Sequence, residues 1–278
     1  MIGQNQAGRR QSGSMRWRES EPWREAVDCR SRSVILSSLR DIEYETLQPH
    51  LEMIELPQHY VLFEQGETIP YVHFPCDGMV SLVVVAGDGR SVEVGIAGRE
   101  GIVGTPCSVG VTRGPYRAIS QIAGRAARMN SDIILELLPS MPALQLAFSR
   151  YTLMQGLQMA QIAACNRLHE IDQRLARWLL MCQDRVERET LQLTHEFLAQ
   201  MLGTGRPSVS LAIGALEADN LIHNMRGAVR IVNRPGLEAA ACECYGVIRN
   251  FNHGLGLNGI LPQRHAFADE QTSASMPT

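Results

Sequence analysis

The side chains best placed for specific polar chemistry lie in residues 194–222, THEFLAQMLGTGRPSVSLAIGALEADNLI. Thr194 can cap a helix through its hydroxyl, and Phe197, Leu198, Met201 and Leu202 give that helix one apolar face. Gly203 suits the left-handed residue that ends a helix, and Thr204-Gly205 makes the turn. Pro207 belongs in the first turn of a second helix, where its missing N–H costs nothing. Val209, Ala212, Ile213 and Leu216 follow at steps of three and four and mark the buried stripe of that helix. Arg206, Ser208, Ser210 and Leu211 then project outward near its start. A guanidinium fork with hydroxyls beside it can hydrogen-bond base edges or phosphate there. A helix-turn-helix needs this disposition, because its second helix contacts bases with its first residues. An ordinary helix hairpin is the plainer alternative.

LIHNMRGAVRIVN at 221–233 reads as a β-hairpin turning at Arg226-Gly227, the wing of a winged helix. Arg206, Arg226, Arg230 and Arg234 concentrate positive charge locally. The net charge of -3 gives no global pull towards nucleic acid, and all 26 basic residues are Arg. The candidate DNA-binding residues are Thr194, His195, Thr204, Arg206, Ser208, Ser210, Leu211, Arg226 and Arg230.

The elements that must position these residues have two textures. Over about 53–130, short β-rich pieces (EMIELP, YVLF, YVHFP, MVSLVVVA, SVEVGIA, YRAISQIA, RAARM) alternate with glycine turns. This spacing predicts an antiparallel β-roll, jelly-roll-like, with AGDGR at 86–90 as its clearest hairpin turn. A short helix is expected before it, with Val34, Leu36, Leu39, Ile42 and Leu47 facing the core. After Pro142, Met154, Leu157, Gln161, Ala164, Leu168, Ile171, Leu175 and Trp178 fall on an a/d seam that continues to Cys182. Such a seam predicts one long dimerisation helix, with Gln161 as the polar position that fixes register. DRVERET at 184–190 reads as a charged hinge. The fold class is therefore α+β: a disordered leader (1–30), a β-roll sensor domain (31–142), the dimerisation helix (143–183), a winged helix-turn-helix (184–250) and a disordered tail (251–278). Met15 is an alternative translation start.

The seven cysteines form no CxxC or paired zinc spacing, so reduced thiols in the cytoplasm are expected. Cys242 and Cys244 are expected on one helix, GLEAAACECYGVIRNF, pointing too far apart for joint metal binding; no metal site is assigned. VSLVVVA at 80–86 is too short to span a membrane. GLGLNG at 254–259 matches a dinucleotide-binding glycine pattern but lacks the preceding strand. A cupin-like β-roll metalloenzyme is the alternative from another class, though no H-x-H occurs.

The helix-turn-helix stretch, followed by RGAVRIVNRPGLE, resembles the carboxyl-terminal domain of Crp/Fnr-type bacterial transcription regulators. The β-roll and long helix are similar to that family's sensor domain and dimer helix, over residues 34–250. The resemblance implies a homodimer on a two-fold symmetric double-stranded DNA site, in contact with RNA polymerase and with no catalytic activity. It also places Arg206 at the family's base-reading position. Pro207 stands where many members have Glu, and Leu211 where several have a second Arg, as in a subgroup with Arg-Pro-Ser. In GIVGTPCSVGVTRGPYRAIS (101–120), Val103-Gly104 replaces the Gly-Glu whose carboxylate holds a ribose hydroxyl in cyclic-nucleotide binders. Arg113 and Arg117 are the candidate effector-binding residues. A small-molecule effector is one open possibility, its identity unknown and not expected to be cyclic AMP, and the cofactor is unknown. Cys29 stands alone where an iron–sulfur sensor would need a cluster, and His50, His59, His73 or a cysteine could serve as haem ligand.

Overall fold

The computed structural model describes residues 28–254 and Gly256. The expected leader and tail therefore lie largely outside the described residues, except that residues 29 and 30 and residues 251–254 are helical.

Three short helices, α1 (Cys29–Arg32), α2 (Val34–Ser37) and α3 (Asp41–Leu47), precede the β-roll. Ile35, Leu36, Leu39 and Leu47 are buried, whereas Ile42 faces solvent because the break after Ser38 turns its helix. The roll comprises β1 (Glu52–Leu56), β2 (Val61–Phe63), β3 (Tyr71–Pro75), β4 (Met79–Val85), β5 (Ser91–Ala97), β6 (Arg117–Ile122) and β7 (Gly124–Asn130). They form two antiparallel sheets, ordered β1-β7-β3 and β2-β6-β4-β5, and each strand falls where apolar residues and glycine turns place it. Leu56, Val72, Phe74, Val80, Leu82, Ala118, Ala126 and Met129 meet between the sheets. Asp88-Gly89 turns the β4–β5 hairpin, with Gly89 at φ 84°, where a side chain would be strained.

Cys29 and Cys76 are joined as a disulfide, which corrects the expectation that every thiol is free. Their Cα atoms lie 5.2 Å apart across 47 residues of sequence, a proximity that spacing along the chain cannot reveal. Cys107, Cys165, Cys182, Cys242 and Cys244 are free and buried.

α4 (Ser131–Leu137) leads to α5 (Pro142–Leu168). The buried carboxylate of Glu43 accepts the N–H groups of Ala143 at 3.1 Å and Leu144 at 3.3 Å, satisfying the open amides at the start of α5. Two residues interrupt the helix before α6 (Ile171–Val186). His169 is extended, and Glu170 begins α6 in a capping box with Gln173. The expected single helix is thus two. Met154, Leu175 and Trp178, assigned to a dimer seam, are buried within their own chain. Gln161, half-buried, donates its amide to Cys244 Sγ at 3.0 Å. Leu157 and Ile171 are half-buried, while Ala164 and Leu168 remain exposed. A heptad pattern shows that residues share a face; it does not say whose surface covers it.

The carboxyl-terminal domain comprises β8 (Thr190–Leu191), α7 (His195–Met201), α8 (Arg206–Ala218), β9 (Ile222–Met225), β10 (Ala228–Ile231), α9 (Arg234–Ala240) and α10 (Cys244–Gly254). Its sheet is ordered β8-β10-β9. Leu175, Leu179 and Leu180 of α6 share its core with Leu198, Val209, Ile213, Leu216, Val229 and Leu237. The charged hinge expected at 184–190 is largely structured, since α6 runs to Val186 and Thr190 pairs with Arg230. The helix expected over 236–251 breaks at Ala241–Glu243, so Cys242 lies between two helices.

Two buried polar contacts hold α6 against the roll. The Arg185 guanidinium pairs with Glu100 at 2.8 Å, both side chains at most 9% exposed. A Cβ at Gly98 would lie 2.7 Å from Arg185 Cγ, so only glycine admits this approach. Trp178 Nε1 donates to Glu93 at 2.7 Å, and Ser81 Oγ donates to the same carboxylate. Burial pushes the Glu93 carboxyl up to about 7 against the opposing pull of Ser81, Trp178, Arg177 and Arg185. A raised folded-state value means that the native protein holds this proton after the unfolded chain has released it. Stability is therefore lost as pH climbs from about 4.5 to about 7. Glu93→Gln is expected to remove that slope and to raise stability above pH 7 by on the order of 2 kcal/mol relative to wild type. Thermal unfolding between pH 5 and pH 8 checks this; parallel curves for the two proteins would contradict it.

Candidate nucleic-acid interface

The Thr194 hydroxyl accepts the Phe197 N–H at 3.2 Å and starts α7. Gly203, at φ 61°, reverses the chain, and Gly205 begins α8 without a side-chain cap. The positive end of the α8 dipole therefore faces outward at Arg206. Val209, Ala212, Ile213 and Leu216 bury one side of α8, leaving Arg206, Ser210 and Leu211 exposed on the other. Leu211 is 76% exposed and so presents an apolar surface beside Arg206 and Ser210. Ser208 and Thr204 are half-buried.

His195 ties the assembly together. Its Nδ1 lies 3.0 Å from Ser210 Oγ on α8, and its Nε2 lies 3.2 Å from Asn224 Oδ1 on β9. One imidazole thus links α8 to the β9–β10 hairpin. Asn224 had no sequence signal, because its partner lies 29 residues away on another element. Arg226-Gly227 forms the wing turn, Gly227 at φ 76°. Arg226 is exposed there, and Arg230 is exposed on β10. Among the described residues, the side chains of Arg206, Arg226 and Arg230 make no hydrogen bond or ion pair, so their charge is open to solvent. Arg234 differs: it bonds Gln183, Asp184, Glu238 and the Tyr245 hydroxyl, clamping α9 to α6. It adds little to the outward charge with which the sequence grouped it.

α7 and the turn after it lean on the roll. Gln200 Nε2 donates to Ser91 Oγ at 2.7 Å, and a Cβ on Gly203 would lie 2.9 Å from Val92 Cγ2. A cleft of about 720 Å3 separates the β4–β5 hairpin from the Thr204-Gly205 turn.

The two candidate effector residues are each engaged locally. Arg113 donates to the Gly66 carbonyl at 2.8 Å, and Arg117 pairs with Glu64 at 2.6 Å. Val103 is fully buried and exchanges backbone hydrogen bonds with His73. Burial pushes the His73 imidazole down to about 4, so it is neutral at physiological pH. Among the described residues, no cluster of metal-ligating side chains lies within the roll, as a cupin-like enzyme would need. No described helix is long and apolar enough to cross a membrane.

The family model for the Crp-like helix-turn-helix domain matches residues 173–240. Three solved structures share the wider architecture. FixK2 from Bradyrhizobium japonicum is 14% identical at TM-score 0.60, covering 69% of this chain and 98% of that one. The c-di-GMP-responsive global regulator CLP of Xanthomonas campestris is 18% identical at TM-score 0.58, covering 69% and 99%. A CRP-family transcriptional regulator of Thermus thermophilus is 20% identical at TM-score 0.56, covering 68% and 96%. No curated protein sequence matches the chain. Residues 173–240 thus carry a Crp-like helix-turn-helix domain, and the chain shares the fold of these solved structures, a β-roll joined through helices to that domain.

Proposed function

We propose that two copies associate through the outer face of α5 and read a two-fold symmetric DNA site, with α8 of each in the major groove. The observation that carries this reading is the outward, unpaired placement of Arg206 at the start of α8, beside unpaired Arg226 and Arg230 on the wing. Arg206 reads a base edge, Ser208 supplies an adjacent donor, Ser210 offers the lone pairs of its hydroxyl, and Leu211 meets a thymine methyl. Thr194, His195 and Thr204 support the backbone contacts, which Arg226 and Arg230 extend along the phosphates. Contact with RNA polymerase follows from the family resemblance. Any effector of the roll is a molecule other than cyclic AMP, a reading supported by Val103-Gly104 in place of Gly-Glu, which leaves no carboxylate for a ribose hydroxyl, and by the local pairing of Arg113 and Arg117.

Leu146, Leu153 and Leu168 stand exposed along α5, with Ala160 and Ala164 between them. They form a stripe that a second copy can cover, displaced from the a/d seam by the packing of Met154 into the roll. Leu153→Glu with Leu168→Glu is expected to yield monomers in sedimentation experiments at micromolar concentration. A wild-type protein that sediments as a monomer there would contradict the dimer.

Selecting bound sites from a random DNA pool defines the operator and tests the whole reading. On the selected site, Arg206→Ala is expected to cost about 1–3 kcal/mol and to relax selectivity at one position of each half-site. Arg226→Ala is expected to weaken all sequences alike and to reduce the magnitude of the salt slope by about one. Titrations on matched and mismatched sites at several salt concentrations separate these effects. Equal losses on both kinds of site for Arg206→Ala would make that residue a phosphate contact.

A further inference from the structure

Cys165, His169, Cys242 and Cys244 converge at the corner between α5 and α6. Cys165 occupies the last turn of α5, and His169 follows four residues later on the same face, its N–H still bonded to the Cys165 carbonyl at 3.2 Å. The break at Ala241–Glu243 brings in the other two, Cys242 from the link and Cys244 from the first turn of α10. One potential ligand atom from each residue lies within 4.8 Å of all the others. All three cysteines are buried.

We propose that these four side chains form a mononuclear Cys3His site for a thiophilic divalent cation, zinc being the expected occupant. Zinc bonds of about 2.3 Å to sulfur and about 2.0–2.1 Å to nitrogen give a tetrahedron with edges of about 3.5–3.8 Å. Cys165 Sγ lies 3.5 Å from Cys242 Sγ, and Cys244 Sγ lies 3.6 Å from His169 Nδ1. Two opposite edges of the tetrahedron are thus already in place, and closing the others takes movements of about an ångström.

The surrounding groups suit such an ion. His169 Nε2 meets the Glu243 carboxylate at 3.0 Å, which leaves Nδ1 as the nitrogen facing the thiols. A carboxylate behind a ligating imidazole fixes its tautomer and orientation. Gln161 Nε2 donates to Cys244 Sγ at 3.0 Å, a contact that a thiolate accepts well. Three thiolates and one divalent cation carry a net charge of about -1, and the Arg177 and Arg174 guanidiniums lie close enough to interact with Cys165. On binding, each thiol releases its proton to solvent. The bound ion fastens the end of α5 to α10, securing the base of the DNA-binding domain to the α5 helix.

The test uses the full chain, purified under reducing conditions without chelator. Metal analysis is expected to find about one zinc per chain. Co2+ added to the stripped, reduced protein is expected to give thiolate charge-transfer absorption and the intense visible bands of a tetrahedral site. The C242S/C244S variant is expected to lose both signals, while C107S, outside the cluster, keeps them. Glu243→Gln is expected to weaken Co2+ binding about 10- to 100-fold with unchanged circular dichroism. Reduced wild-type protein that takes up no Co2+, or a C242S/C244S variant that takes it up equally, would overturn the proposal. If that double variant does not fold, His169→Ala decides, and an unchanged Co2+ spectrum overturns the site. Acid-labile sulfide in the purified protein, or a Cys165–Cys242 disulfide isolated anaerobically in place of metal, also overturns it.

Discussion

The buried pair between Arg185 and Glu100 is the contact on which the arrangement of this protein depends. It joins the last turn of α6 to the loop after β5, and Trp178–Glu93 repeats the connection two turns earlier on the same helix. Taking two charges out of water is expensive, and removing one partner strands the other at a cost of about 3–5 kcal/mol. That penalty opposes any displacement of α6 from the roll. The opposite face of α6 lies in the core of the winged helix, among Leu198, Val209, Ile213 and Leu237. One helix therefore belongs to both cores, and the position of the roll is transmitted to α7 and α8 through it.

The same division of polar groups explains which arginines can act outside the molecule. Arg185, Arg117 and Arg234 are held by Glu100, Glu64 and Asp184. Arg206, Arg226 and Arg230, identical in chemistry, lack such partners and line the exposed side of α8 and its wing. Their availability comes from the placement of acids around them. It does not come from net charge, which is negative for the whole chain. His195 adds rigidity where it matters, linking Ser210 to Asn224 so that helix and wing present one surface.

The interruption at His169–Glu170 has consequences in both directions along the chain. It ends α5 so that Leu153, Ala164 and Leu168 remain on the outside, and it redirects α6 into the carboxyl-terminal domain. A continuous helix would carry Leu175 and Trp178 along with Leu168 on one stripe, whereas the break sends them to opposite environments. It also leaves Cys165 and His169 at a helix end, facing a second helix end that carries Cys244.

Local pattern determined much of this molecule from sequence alone. The seven strands of the roll, the Gly203 reversal, Pro207 at the start of α8 and the wing turn at Gly227 are all where short-range rules put them. Each depends on residues within a few positions: alternation for strands, positive φ for glycine, a missing N–H for proline. Three outcomes were decided only by the tertiary structure. Whether Met154 and Trp178 face a second copy or their own roll depends on which surface lies opposite, and periodicity is the same in either case. The Cys29–Cys76 bond spans 47 residues, and the cluster of Cys165, His169, Cys242 and Cys244 needs two helix breaks to form. Contacts between distant segments have no local signature, because the chain in between can take many paths to the same encounter.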